Sequence, residues 1–421
     1  MLFKELFGST DLATWIIAGV MMAAFIVQLI YYLDVFSKIP SYTTGKEMDH
    51  PAIPPRRQNA IPPDDQSTAT SGGHPTASIH QQFGVTSIER PVVPVSVIIC
   101  ARNEAENLEK HLPAFLAQDH PDFEVVVVND CSTDHTEEVL MNLKVDHPHL
   151  RYTSIQPDKK FIHGKKLAVT VGIKAARHEH LLLSDADCYP SSDQWVSRMS
   201  AHFSATTELV LGVGKYARTR GLLNLLVRYE TLFTAMQYIS FAIKGKPFMG
   251  VGRNMGYVKN LFFRHKGFAS HLKVLSGDDD LFVKEAATPR NTSVEIDPAG
   301  MTISIPPGKI NSWFKQKKRH LSTGKYYKAG TKFRLGTEYF SRTIFYIMCI
   351  ILLFRGPWIW IAIGAWSILS IVKLVIVKLN MRRLDEKDLL LPSLLFDPLM
   401  PVILAMIRIS NMIRPREPKW N

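Results

Sequence analysis

The sequence predicts an α/β domain with a mainly parallel sheet, carried on apolar helices near both ends of the chain. Three observations point there. Short apolar runs alternate with amphipathic stretches between residues 95 and 184, two of these runs close in acidic turns, and long apolar stretches lie at 15–33 and beyond 339. Strands alternating with helices imply right-handed crossovers and a parallel sheet. Such sheets collect ligands beyond the carboxyl ends of their strands.

The elements follow in order. Residues 15–33 carry no charge, enough chain to cross a hydrocarbon core of roughly 30 Å as a helix. A cleaved export signal would have a basic leader and a small-residue cleavage site. Here the leader carries Lys4, Glu5 and Asp11, so 14–34 is read as an uncleaved anchor behind an extracytoplasmic leader, 1–13. Residues 35–93 are crowded with Pro, Ser, Thr, Gly, His and Gln. Such a segment buries too little apolar surface to offset its ordering entropy and reads as a tether.

The body, 94–302, opens with strands expected at 95–100, 123–129, 151–155 and 180–184, alternating with helices at 103–116, 132–143 and 165–176. A further strand is expected at 209–213 and a glycine-rich loop at 247–255. Between them lies an apolar helix, Leu222–Ile243, which Arg228 and Glu230 mark as packed or interfacial rather than spanning. A basic interfacial segment, 303–337, leads into a membrane hairpin, 338–378, with arms 339–354 and 358–377 around Arg355-Gly356-Pro357. The remainder, 379–421, holds a basic loop and an apolar stretch, 389–413, that spans, re-enters or lies along the interface; it contains Pro392, Pro398, Pro401, Asp397 and Arg408. Bases follow both the anchor (Lys38, Lys46, Arg56, Arg57) and the hairpin (Lys378, Arg382, Arg383, Lys387). By the positive-inside rule the middle of the chain is then cytoplasmic and the N-terminus outside.

The chain has 50 basic and 38 acidic residues, formally +12, and residues 309–334 contain nine Lys or Arg and no acid. Beside a hairpin such a block meets membrane lipids or an anionic substrate. No zinc-finger spacing, helix-turn-helix pattern or RNA-binding aromatic signature accompanies it, so nucleic acid is not expected as a partner. The four cysteines include no Cys-x-x-Cys pair, which argues against a disulfide frame or zinc site.

Four constellations carry chemistry. Asp185-Ala186-Asp187 sets two carboxylates one residue apart after an apolar run, a pattern that suits a hard divalent cation sharing its oxygens with a diphosphate. Asp130 follows another such run, and Lys165 opens a helix; capping and a solvated face are their ordinary alternatives. Gly277-Asp278-Asp279-Asp280 places three carboxylates side by side. Gathered in one site they force at least one pKa upward, which suits a general base; the alternative is an exposed acidic turn or a cap. Gln316, Arg319 and His320 share a helix face, as a diphosphate grip, a membrane-surface helix or both.

Taken jointly and in this order, these motifs resemble the membrane-anchored, processive and lipid-linked branch of the family 2 glycosyltransferases, the branch of cellulose, hyaluronan and ceramide-glucosyl transferases. The resemblance spans 95 to about 335 and implies the A-type nucleotide-diphospho-sugar transferase fold. It implies donor contacts from Ala101, Asn103 and Glu104 in the opening loop, from Asp130, from Lys165, from Asp185, and from Asn254 in the Gly252-Arg253-Asn254 loop. Asp185 and Asp187 match the metal motif for Mg2+ or Mn2+. Asp279, with Asp278 one residue away, matches the base motif. Gln316 and Arg319 match Gln-x-x-Arg-Trp, with His320 where the family has Trp.

The implied reaction moves a sugar, with inversion, from a uridine-linked donor to a lipid-linked or glycan hydroxyl at the cytoplasmic face of a bacterial inner membrane. A processive polysaccharide synthase is the rival reading; His320 and the small number of membrane segments weigh against it. A non-catalytic membrane scaffold is the second rival.

Overall fold

The computed structural model describes residues 11–43, 92–157, 164–274 and 276–413. Most of the leader and tether, and the basic tail expected at Arg414, Arg416 and Lys419, lie outside the described residues. The described chain up to Tyr42 and from Val93 onward belongs to one compact unit.

Its centre is a seven-stranded sheet ordered β3-β2-β1-β4-β8-β6-β9. The strands are β1 Val95–Ala101, β2 Phe123–Asp130, β3 Leu150–Ile155, β4 His180–Asp185, β6 Leu209–Leu211, β8 Met255–Val258 and β9 Thr292–Val294. From β3 to β4 every pairing is parallel, as the alternating apolar runs predict, while β8 runs antiparallel to β4 and β6. A small second sheet, β5 Cys188–Pro190, β10 Thr302–Ser304 and β7 Gly214–Tyr216, folds over the carboxyl side.

Strand β1 is buried along its whole length. Val95, Val97 and Ile99 face helix Ala105–Leu116 through Leu108, Leu112 and Phe115, while Ile98 and Cys100 face Ala168, Val169 and Ile173 of helix Lys165–Ala175. The period-two alternation of a strand explains this division. Gly172 permits the second contact, since a Cβ there would come within 2.6 Å of Ile98. Register then brings the strand ends together, with Cys100 opposite both Val128 and Asp185.

Two helices begin later than the sequence suggests. The helix expected from 103 starts at Ala105, and that expected from 132 starts at Thr136. Asn103 and Cys131 each take φ 55, and the residues between cross-link the two loops instead of coiling.

Among the described residues, four helices are long and apolar enough to cross a membrane: Leu12–Ser41, Ala329–Leu352, Trp358–Arg383 and Leu390–Ile413. The first passes through a π-helical turn at Tyr31–Phe36. The first hairpin arm starts ten residues before the expected 339 and has 24 residues, enough for a span. The stretch that sequence leaves open, 389–413, is one continuous helix despite Pro398 and Pro401 inside it.

Asp397 explains how that helix is held. It is buried and pairs with Lys373 and with Arg342 at 3.3 Å, and the Tyr346 hydroxyl donates to it; Arg342 also pairs with Glu338 at 3.3 Å. Two cations and two anions compensate one another where hydration is absent. The Leu222–Ile243 helix packs beside this group, placing the Tyr229 hydroxyl 3.4 Å from Asp397. Its own Arg228 and Glu230 pair with Glu386 and Lys317.

Asp397→Ala strands the Lys373 ammonium in apolar surroundings and leaves Arg342 with Glu338 alone, with an expected cost of about 3–5 kcal/mol. Thermal unfolding of the detergent-solubilised chain checks this: a melting point equal to that of the unaltered chain refutes it.

Candidate active site

The loops beyond β1 and β2 are laced together. The Asn103 amide donates to Ser132 Oγ at 2.9 Å, Thr133 N to Asn103 Oδ1 at 2.8 Å, Glu104 N to Thr136 Oγ1 at 3.0 Å and Ala105 N to Asp134 Oδ2 at 3.1 Å. Asn103 therefore acts through both backbone and side chain in shaping the opening loop, while Ala101, at the end of β1, is fully buried in the core. Asp130 stands at the end of β2 but is fully enclosed. Burial and the nearby charges of Asp187, Asp185 and Asp134 push the Glu104 carboxyl up, with the Asn107 amide opposing them, so Glu104 faces the acidic pair.

At the end of β4, one ligand atom each from Asp185, Asp187 and Cys188 lies within 4.8 Å of the others. Burial, then Asp185, raises the Asp187 carboxyl pKa. Burial and Asp187 hold the Cys188 thiol well above its ordinary range, so the sulfur stays protonated; it donates to Asp187 at 3.2 Å and meets Ser304 Oγ at 3.0 Å. Two carboxylates beside a neutral thiol fit a hard, oxygen-seeking cation better than a thiophilic one.

Lys165 joins this pair to the third cluster. Its Nζ is 2.7 Å from Asp185 and 3.2 Å from Asp278. Burial disfavours its charge, but Asp185, Asp278 and Asp279 outweigh burial and hold the ammonium well above its ordinary pKa. The reach of all three clusters to one place registers at Cys100 on the end of β1. Burial raises that thiol, Lys165 opposes the rise, and Asp185, Asp278 and Asp130 add to it.

The three adjacent aspartates have different surroundings. Asp278 is kept below the usual carboxylate range, because Lys165 and backbone N–H groups overcome its burial. Asp279 is pushed up to about 7 by burial and then by Asp278 and Asp280. It accepts from Gly252 N at 2.9 Å and Asp280 N at 2.7 Å, capping helix Asp280–Ala286, and stays partly accessible. Capping and a raised pKa thus coexist in one residue. Asp280 is buried and accepts from Thr323 Oγ1 at 2.5 Å and Tyr327 OH at 2.7 Å. Lys166 fastens the preceding loop by donating to the carbonyls of His271, Val274 and Ser276.

The Gln-x-x-Arg-His helix, Ile310–Leu321, docks through Gln316, whose amide donates to Tyr216 OH at 3.1 Å. The Arg253 guanidinium lies 4.9 Å over the Tyr216 ring and donates to Gly214 O at 2.8 Å. Arg319 and His320 stay exposed on the same helix. Although His320 reaches solvent, crowding by surrounding protein pushes its pKa down, and the charges of Lys317, Arg319, Arg253 and Lys165 push it further, leaving a neutral ring at pH 7.

Two sequence expectations need correction. Asn254 does not line the pocket: it is fully buried, accepts from Trp195 Nε1 and donates to the carbonyls of Val213 and Gly300, all at 2.9 Å. It shapes the loop that Gly252 and Arg253 present. Gln316 likewise is taken up by Tyr216, to which it holds its helix, whereas Arg319 is exposed. Sequence reading missed Glu104's approach to the acidic pair as well as Tyr216, Thr323 and Tyr327. Only Arg253 had a signal, its place between Gly252 and Asn254.

Residues 96–263 match the family model described as glycosyl transferase family 2. That segment of the chain is a domain of that family. It is 32% identical over 201 residues to glycosyltransferase AglE of Haloferax volcanii, covering 46% of this chain and 60% of that one. It is also 28% identical over 109 residues to the poly-beta-1,6-N-acetyl-D-glucosamine synthase of Staphylococcus epidermidis, covering 26% of this chain and 25% of that one. The chain thus matches from a quarter to three-fifths of these relatives' length. Among solved structures, the mannosyltransferase PcManGT from Pyrobaculum calidifontis, in complex with GDP-Man and Mn2+, superposes with a TM-score of 0.52 at 17% identity, over 96% of this chain and 100% of that one. At that identity the likeness establishes the fold, the A-type fold of the family 2 transferases.

Replacing Thr323 by Val together with Tyr327 by Phe leaves the buried Asp280 carboxylate without its two hydroxyl donors. Each loss costs about 1–3 kcal/mol, read as a lower unfolding temperature; an unshifted melt excludes the strap.

Proposed function

We propose that this family 2 member is an integral membrane glycosyltransferase. It transfers a sugar with inversion from a nucleotide-diphosphate donor, uridine-linked, to one lipid-linked or membrane-proximal glycan hydroxyl. The site lies at the cytoplasmic face of a bacterial inner membrane and uses no nucleic acid partner. The observation that carries this reading is the bridge from Asp185 through Lys165 to Asp278, with the raised Asp279 beside it.

In this reading Asp185 and Asp187 would hold Mg2+ or Mn2+, which when bound offsets the charge of the leaving diphosphate. Asn103, Glu104 and Asp130 lie at the nucleoside end. Lys165 and Arg319 bring positive charge to the phosphates. Asp279 takes the proton of the acceptor hydroxyl as its oxygen bonds to the anomeric carbon. The bond from that carbon to the phosphate oxygen breaks on the opposite face, and its electron pair leaves with the nucleoside diphosphate.

Names among the relatives favour the processive reading, since one is a polysaccharide synthase. The neutral, polar His320 favours a single transfer, because it offers the acceptor side a much smaller flat surface than Trp. Product length on a gel separates the two. A scaffold with no nucleotide binding but intact lipid binding would exclude both.

A base must be unprotonated to act. With Asp279 at about 7, transfer is therefore expected to rise with pH through about 7, and Asp279→Asn is expected to abolish transfer while keeping donor binding. Were Asp278 the base, its lowered pKa would leave the rate already level through neutral pH. The pH–rate profile of the unaltered chain, together with which of Asp279→Asn and Asp278→Asn stops transfer, decides between them.

Asp187→Ala, or removal of divalent ions by a chelator, should abolish donor hydrolysis in a panel of nucleotide sugars tested with and without manganese or magnesium. An unchanged rate removes the cation from the mechanism.

A further inference from the structure

The turn between the last two membrane helices, residues 384–389, carries three acids and frames an open cavity of about 770 Å3. Each acid is taken by a cation from the catalytic body. Asp385 pairs with Lys215 at 2.7 Å, Glu386 with Arg228, and Asp388 with Arg218. Asp385 and Asp388 hold left-handed backbone, φ 48 and 64, which is uncommon for residues with a side chain and is sustained here by those pairings.

The same cavity is lined by Lys378, Arg382 and Lys387. Among the described residues these three have no ion pair, because every acid beside them is already neutralised. Lys378 and Arg382 are four apart on one helix, where like charges repel. The rest of the wall includes Met381, Leu390 and Pro392. The cavity therefore combines three uncompensated cations with apolar surface. It sits where helix Trp358–Arg383 ends and helix Leu390–Ile413 begins, two of the four candidate spans among the described residues.

We propose that this cavity is a binding site for an anionic phospholipid, with the phosphate held by Lys378, Arg382 and Lys387 and the upper acyl chain against Met381, Leu390 and Pro392. The proposal rests on the membrane reading of these helices but not on sugar transfer. The cations are not needed to build the turn, because Lys215, Arg218 and Arg228 do that, so they can be replaced without dismantling it. A guanidinium and two ammonium groups near one phosphate suit an anionic headgroup better than a zwitterionic one, whose own cation competes for the same oxygens.

The test uses the full chain, purified in detergent and delipidated, titrated with fluorescent phosphatidylglycerol. Saturable binding is expected, weakened roughly a hundredfold in Lys378→Gln/Arg382→Gln/Lys387→Gln, since each basic group near a lipid surface contributes about a factor of five. The charge-keeping variant Lys378→Arg/Arg382→Lys/Lys387→Arg should retain binding, which separates loss of charge from loss of fold. Equal affinity for phosphatidylcholine, or unchanged binding in the Gln variant, overturns the proposal. Displacement by millimolar inorganic phosphate also overturns it, assigning the site to free phosphate instead of lipid. Nucleotide-sugar hydrolysis measured on the same preparations reports separately on the glycosyltransferase reading.

Discussion

The bridge formed by Lys165 is the constraint on which the site depends. Asp185 ends a strand and Asp278 ends a loop some ninety residues later, and both carboxylates meet one ammonium. Without a cation between them, two partly desolvated carboxylates would repel, and the loop of Asp278 would have reason to swing outward. Lys165 opens its helix immediately after Gly164, and the same helix packs against β1 through Gly172. The backbone of the sheet thereby sets the position of the charge. Lys166, the next residue, ties down the loop that delivers Asp278. Two consecutive lysines thus divide the work, one pairing with carboxylates and one with carbonyls.

A second constraint joins the site to the membrane helices through three consecutive residues of β7. Gly214 accepts from Arg253, Lys215 reaches Asp385 in the turn between membrane helices, and Tyr216 stacks under Arg253 and holds Gln316. Strand alternation explains how one short segment serves two sides, because Lys215 and its neighbours project to opposite faces. The membrane-side turn and the Gln-x-x-Arg-His helix are therefore attached to the same strand. The same helix is also bonded to the last candidate span, through Lys318 to Ser410 and Asn411.

The parallel half of the sheet was legible because its strands are short apolar runs bounded by turn residues, and the acidic turns at their ends follow from that placement. The convergence of the 185 and 278 clusters was legible too, as chemistry in search of one cleft. Other features were hidden for definite reasons. Asn103 and Cys131 give no glycine signal for their left-handed backbone. Asn254 looks like a pocket residue beside Gly252, and its true partners, Trp195, Val213 and Gly300, lie more than forty residues away. The helix at 329 begins among polar residues, and the buried Glu338 and Arg342 make sense only once Asp397 arrives from another helix. In each case the missing information was a contact between distant segments.

The divergence of three adjacent aspartates shows why motif position alone cannot assign a base. Asp278, Asp279 and Asp280 have the same side chain, yet one faces an ammonium, one caps a helix among like charges, and one accepts from two hydroxyls on a single oxygen. The first is locked as an anion, and a carboxylate held by a full charge is a weak proton acceptor because protonation must break the pair. The third is buried behind Thr323 and Tyr327, out of reach of an incoming hydroxyl. Asp279 alone combines accessibility with a pKa raised toward neutrality, and its two contacts are to neutral backbone N–H groups that can persist when a proton arrives. Burial and its neighbours create that condition: burial raises it first, Asp278 and Asp280 add repulsion, and the Lys165 ammonium opposes the rise.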